Sequence, residues 1–231
     1  MSSGITIYLL PGLDGTGSLF DPLLRFSPSW ARPRVVRYDP CVSRSYAELT
    51  ADVSAQIDAG ERFAILGESF SGPIAVMSAL RHQGRNLRGV VLCASLIANP
   101  FISLALAPKS AVRLATRLSR SMRGLHYFLG AGESPALQRA AEEALAGVAT
   151  EVLLDRIEAI RDVDVAAALG RLTCPVLYLR ASRDRVMPRR ALRQVLRARP
   201  DTSVVRIDSS HLLLQTRPQQ AWRAIEGFLQ S

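Results

Sequence analysis

Histidine is scarce in this chain, three among 231 residues, and lysine is scarcer still, with Lys109 alone. Cysteine is limited to Cys41, Cys93 and Cys174. An odd, widely scattered trio fits neither a disulfide framework nor the paired spacing of a zinc site. Cys93 and Cys174 adjoin apolar runs and read as small buried hydrophobes. With so few histidines and no His/Asp cluster, neither a metal nor another cofactor is called for. No apolar run is long enough for a membrane span. The opening "MSSGITIYLLPG" lacks the basic start and apolar core of a secretion signal. These absences point to a soluble, cytoplasmic protein. Low-complexity tracts, internal repeats and interdomain linkers are missing too.

What remains is an ordinary globular composition, 48% hydrophobic and punctuated throughout by Gly and Pro. The formal charge is +9, carried almost wholly by arginine. A basic surplus attracts nucleic acid, anionic lipid or acidic protein. A bias of Arg over Lys also follows from genome composition, so charge alone names no partner, and no nucleic acid is expected.

Six short β-branched or aliphatic runs recur: Ile5–Leu10, Arg34–Tyr38, Phe63–Leu66, Gly89–Ala94, Val176–Arg180 and Ser203–Ile207. Near-continuous apolar runs suit strands buried on both faces. Amphipathic segments at 46–59, 73–84 and 188–199 lie between them. The alternation predicts an α/β fold, a doubly wound, mostly parallel sheet of about six strands. One gap breaks the rhythm. Residues 98–171, rich in Ala, Leu and Arg, have helical periodicity and no strand run. They read as a helical cap inserted into a core formed by 1–97 and 172–231. Ligands of open parallel sheets bind at the carboxyl ends of the strands, where an insertion can form a lid.

The stretch "RFAILGESFSGPIAVMSALRH" reads as strand, sharp turn and helix. In a G-x-S-x-G turn, strained backbone lifts one Ser above the strand ends, and small flanking residues let strand and helix approach. Gly67, Ser69 and Ser71 occupy the pattern positions, with Gly72 beside the last. Ser71 cannot be the central serine, because its flanking pattern positions are Ser69 and Pro73. Ser69 is therefore the candidate nucleophile, against a bland reading of a Gly/Ser turn.

A serine hydroxyl needs a general base, and the base needs an orienting carboxylate. His82 lies about three and a half turns along the next helix and points away. His126 belongs to the insertion and can line a cavity. His211, in "SVVRIDSSHLLLQTRP", follows the last strand and is the candidate base. For the carboxylate, Asp184 just past the penultimate strand is the first choice, with Asp208 and Asp162 in reserve. The alternative for Asp184 is a plain turn residue ahead of Pro188. Ser69, Asp184, His211 is also the chain order expected of this turn chemistry. The Gly-rich stretch "IYLLPGLDGTGSLF" can turn backbone amides toward the site. Leu13 N–H and Phe70 N–H are the expected oxyanion donors. Asp14, Glu68 and His126 are candidate substrate contacts.

Four segments together, "LLPGLDGTG", "GESFSG", "RASRDRVMP" and "SSHLLLQTRP", resemble the α/β-hydrolase superfamily. The likeness spans the chain apart from the insertion, where that superfamily carries its variable cap. It implies Ser69 as nucleophile, Asp184 as orienter and His211 as base, in a core trimmed at the N-terminus. Pro11-Gly12 stands where many relatives have His-Gly, and Ser71 stands where the pattern has Gly. The compact size and small cap are similar to bacterial carboxylesterases that cleave methyl esters of acyl-carrier-protein-bound substrates. The first loop is similar to that of plant phytyl ester synthase-type acyltransferases. The implied activity is carboxylic ester hydrolysis. Acyl transfer or thioester cleavage on a carrier- or lipid-bound acyl group stands as the alternative.

Two readings from other classes compete. A dinucleotide-binding oxidoreductase would use Gly12, Gly15, Gly17 and Asp39, but G-x-x-G-x-G departs from the dinucleotide fingerprint. A catalytically silent binding protein is the other, although none of the three catalytic residue types is missing. The insertion adds a partner question. Phe101 to Gly132 contains no acidic residue, while Lys109, Arg113, Arg117, Arg120 and Arg123 are basic. Their spacing puts cations along one helical face, beside an apolar stripe of Val112, Ala115, Leu118 and Met122. The face is either simply solvated or a dock for an acidic carrier protein or lipid headgroup. Arg189, Arg190, Arg193 and Arg197 form a second basic cluster.

Overall fold

A computed structural model of the protein describes residues 4–103, 110 and 134–230. His126 and the basic face of Lys109, Arg113, Arg117, Arg120 and Arg123, with its apolar stripe of Val112, Ala115, Leu118 and Met122, lie outside the described residues. Six parallel strands form one sheet in the order β2-β1-β3-β4-β5-β6. They are β1 (Ile5–Leu10), β2 (Ala31–Val35), β3 (Phe63–Glu68), β4 (Leu87–Cys93), β5 (Val176–Ala181) and β6 (Ser203–Ile207). The interior strands β1, β3 and β5 are buried at every position, as helices on both sheet faces require.

Successive residues of a strand point to opposite faces, and the core divides accordingly. Tyr8, Leu10, Ile65, Val90, Leu92 and Tyr178 pack on one side, under α2 (Tyr46–Gln56), α3 (Gly72–Arg81) and α7 (Arg189–Ala198). Ile7, Leu9, Leu66, Val91, Leu177 and Leu179 pack on the other, against α1 (Asp21–Arg25) and α9 (Pro218–Gln230). There the Trp222 indole N–H donates to the Leu23 carbonyl at 2.8 Å.

The second strand lies three residues earlier than its apolar run predicts. It is the edge strand, with alternating exposure across Ala31–Val35, so it needs no continuous hydrophobic run and tolerates Pro33. The run Val36–Tyr38 instead leaves the ladder, with Val36 N–H donating to Leu9 O and Tyr38 N–H to Gly15 O. Those bonds carry the chain over the end of β1, and Tyr38 is buried beneath the loop that follows β1.

After β4 the chain departs and returns through a narrow antiparallel stem. Ala98 bridges Asp164, Asn99 N–H donates to Val163 O, and Val165 N–H donates to Ile97 O. Between these points lie α4 (Pro135–Ala146) and α5 (Thr150–Asp162). The short α6 (Ala166–Gly170), past the stem, packs back on the core through Leu169. A final turn of helix, α8 (Leu213–Thr216), follows the loop after β6. Among the described residues no helix is long and apolar enough to cross a membrane.

Candidate active site

The strand order reverses between β1 and β3, and the loops leaving the carboxyl ends of those two strands flank the reversal point. This is where an open parallel sheet leaves a crevice. Ser69 stands at the end of β3 with φ of 48°, a left-handed backbone unusual for a non-glycine residue. The strain holds because its surroundings leave no room to relax. A Cβ on Gly67 would come within 2.7 Å of Ser71 O and 2.9 Å of Ala75 Cβ. One on Gly72 would overlap Ser95 Oγ and the Leu96 carbonyl. The glycine that admits the close approach is therefore Gly72, one place beyond the pattern position. Ser71 is free to carry a hydroxyl, which accepts from Tyr38 OH at 2.7 Å and donates to Pro11 O. The two departures from the family pattern, Pro11 and Ser71, are thus hydrogen-bonded to each other.

His211, in the loop after β6, places Nε2 3.0 Å from Ser69 Oγ. Its Nδ1 lies 3.0 Å from Asp184 Oδ2 and 3.1 Å from Oδ1. Asp184, in the loop after β5, is held by Val186 N–H and Met187 N–H, which donate to Oδ1 at 2.9 and 2.8 Å. Arg180, buried at the end of β5, donates to Met187 O and braces the same loop. Burial pushes the Asp184 carboxyl pKa up, but the His211 charge and hydrogen bond together with the two backbone donors outweigh it. They hold the carboxyl below its usual range.

The other sequence candidates sit elsewhere. Asp208 is exposed, accepting from Ser182 Oγ and Arg183 Nε, both at 2.9 Å. Asp162 is exposed and pairs with Arg161 at 3.8 Å. Neither has a bond to His211, which bonds Asp184 instead. His82 is buried at the far end of α3, where Nδ1 contacts Ser78 O and the ring meets the edge of Phe63.

Ser69 and His211 open into a cavity of about 500 Å³. Gly12, Leu13, Asp14, Glu68 and Phe70 form its floor side. Leu19, Leu96 and Met187 join Phe101, Ala141, Leu145 and Ile160 in closing it. Those last four come from the segment after the stem and from α4 and α5, so the insertion contributes to the lining. Asp14 reaches the cavity, but its Oδ2 is engaged by Thr16 N–H at 2.8 Å and Thr16 Oγ at 2.6 Å. Glu68 accepts from Gln215 Nε2 at 3.0 Å. Burial, with the Asp14 charge adding to it, pushes Glu68 up to about 7, against smaller opposing effects of Gln215 and His211.

Leu13 and Phe70 both line the cavity beside Ser69. A peptide unit is planar with its C=O and N–H opposed, so fixing one end aims the other. The Ser69 carbonyl accepts from Ser95 Oγ at 2.6 Å, which fixes the direction of the Phe70 N–H. Phe70 itself is stacked on Tyr46, with ring centroids 4.8 Å apart, and its carbonyl accepts from Tyr46 OH. Ser95, Tyr38, Tyr46, Arg180 and Gln215 are supporting residues that the sequence reading missed. Their partners lie in distant segments, and no short-range pattern marks them. The arrangement as a whole can deprotonate a hydroxyl next to backbone donors inside an apolar enclosure.

Comparison with known proteins bears on the family and the fold. Residues 4–224 match the alpha/beta hydrolase family. The fold is similar to that of a hydrolase from Pseudomonas aeruginosa, at 22% identity and a TM-score of 0.76, covering 100% of this chain and 92% of that one. It is also similar to an esterase from Exiguobacterium antarcticum, at 16% identity and a TM-score of 0.81, covering 100% of this chain and 94% of that one. An enol-lactonase from Burkholderia xenovorans shares 18% identity and a TM-score of 0.76, covering 99% of this chain and 92% of that one.

Proposed function

Because the chain belongs to the alpha/beta hydrolase family, we propose that it is a serine hydrolase cleaving carboxylic esters through an acyl-enzyme on Ser69. The observation that carries this is a single line of contacts: Asp184 to His211 Nδ1 at 3.0 Å, and His211 Nε2 to Ser69 Oγ at 3.0 Å. Ser69 Oγ attacks the ester carbonyl carbon while His211 Nε2 takes its proton. Asp184 holds the imidazole with Nε2 free to accept and stabilises the imidazolium that forms. The oxyanion rests on the Leu13 and Phe70 N–H groups. As the tetrahedral intermediate collapses, the bond to the leaving oxygen breaks and His211 returns the proton to the departing alcohol. Water then adds to the acyl carbonyl, giving its proton to His211, and the acid leaves as Ser69 recovers its hydrogen.

The apolar walls from Leu19, Leu96, Phe101, Leu145, Ile160 and Met187 favour an uncharged acyl or alcohol group. A charged one would be desolvated among them, with Arg185, Asp14 and Glu68 the charged side chains in the described lining besides the catalytic histidine. A panel of p-nitrophenyl esters of increasing chain length, with fluorophosphonate labelling, tests the assignment. Turnover and covalent labelling are expected in the wild type and neither in Ser69→Ala. Labelling that survives in Ser69→Ala would place the nucleophile elsewhere.

A further inference from the structure

Among the described residues the mechanism leaves one buried cation unused. Arg156 projects from α5 of the insertion and is only 3% exposed; among the described residues it forms no ion pair with an acidic side chain. Instead its guanidinium donates to three backbone carbonyls. Nη1 reaches Leu13 O at 2.9 Å and Asp14 O at 2.8 Å, and Nη2 reaches Asp39 O at 3.1 Å. It lies 5.7 Å from the centre of the Tyr38 ring. Gly15, at φ of 72°, makes room for it, since a Cβ there would sit 2.6 Å from Nη1.

These contacts connect to the oxyanion site peptide by peptide. The peptide whose oxygen is Asp14 O carries the N–H of Gly15. That N–H donates to the Gly12 carbonyl at 3.1 Å. The peptide whose oxygen is Gly12 O carries the N–H of Leu13, the proposed donor to the oxyanion. With each unit planar, the direction of the Leu13 N–H follows from where the guanidinium holds the Asp14 oxygen. Hydrogen bonds in series also polarise one another, most strongly when a charge heads the chain and solvent is excluded. We infer that Arg156 is a positioning residue of the oxyanion hole, which aligns and polarises the Leu13 N–H through two intervening peptide groups. The inference rests on the serine hydrolase reading and deepens it, because it makes the insertion a working part of the oxyanion site.

The test pairs two long side chains that both lose the planar fork, Arg156→Lys and Arg156→Gln, on the full chain with a p-nitrophenyl ester. The cation should matter in the transition state and not in binding. Arg156→Gln is expected to lower kcat roughly ten- to thirtyfold with KM within about twofold, a fraction of the loss from deleting an oxyanion donor. Arg156→Lys should recover most of kcat, although both variants lose similar stability by urea denaturation. Equal kcat for the two, or a loss confined to KM, would overturn the inference. A second measurement uses Arg156→Ala with millimolar methylguanidinium or neutral methylurea. Recovery of kcat by the cation alone supports the relay, whereas recovery by both or by neither overturns it. Fluorophosphonate labelling of the wild type separates the two levels. A labelled wild type with an indifferent Arg156 series sinks the relay only, and an unlabelled wild type sinks the relay and the hydrolase reading together.

Discussion

Ser69 and Phe70 share a peptide bond whose two ends have opposite tasks. The carbonyl of Ser69 is tied down by Ser95 Oγ, and in the proposed mechanism the N–H of Phe70 at the other end donates to the oxyanion. Ser95→Ala removes the tie without touching substrate. It is expected to lower kcat about tenfold, less than the loss of the donor itself, while KM moves little. Steady-state kinetics across the ester panel checks this, and a loss expressed wholly in KM would contradict it. Residues of this kind explain what a sequence can and cannot reveal. The approach of Ser69, Asp184 and His211 to one another is foreseeable because each sits just past a strand, in a turn whose local chemistry is readable. Ser95 lies 26 residues from its partner, and Arg156 lies 142 residues from Asp14. A lone serine or arginine in such places looks like any other until the fold brings its partner near.

At the scale of elements, the junction of β3 and α3 depends on which positions can do without a Cβ. The family pattern puts the second glycine at 71, whereas the close contact falls on Gly72. Gly72→Ala would press a methyl against the Leu96 carbonyl and Ser95 Oγ. A cost of about 1–3 kcal/mol is expected from such overpacking. Ser71→Gly should instead lose the links to Tyr38 and Pro11, at roughly 1–2 kcal/mol. Urea midpoints at constant slope measure both, and a Gly72→Ala protein as stable as the wild type would refute the packing account. Interior strands were readable because burial on both faces imposes long apolar runs. The edge strand β2 was displaced in the reading because an edge imposes no such run, and Val36 and Tyr38 are apolar for another reason: they floor the loop above. The stem at Ala98 and Asp164 was likewise hidden, since a single bridge leaves no periodicity.

For the molecule as a whole, two carboxyls of the site set opposing pH dependences of stability. Asp184 is held below its ordinary pKa, so its contribution is present above that value and is lost as pH falls through the folded-state value. Glu68 behaves in the opposite sense. Its pKa rises on folding from an ordinary 4.5 to about 7, so the folded state holds this proton more tightly than the unfolded chain. The resulting stability is fully present below 4.5 and drains away as pH rises through about 7. A shift of that size amounts to about 3 kcal/mol. Ionised, Glu68 faces Asp14 from the loop after β1, Cys93 from β4, and His211 and Gln215 from the segment after β6. Of these only His211, when protonated, opposes its charge, while Gln215 Nε2 still donates to it. Glu68→Gln keeps an acceptor for that donor and removes the titration. It also supplies an N–H beside Gln215 Oε1, which is buried without a protein partner. Urea denaturation between pH 5 and pH 8 should therefore show the wild type losing stability while Glu68→Gln changes far less, so that the two curves separate between pH 5 and about 7 and diverge no further above it. Parallel curves would mean that Glu68 is ionised in the folded protein throughout this range, and that the cavity floor is far better solvated than its apolar lining implies.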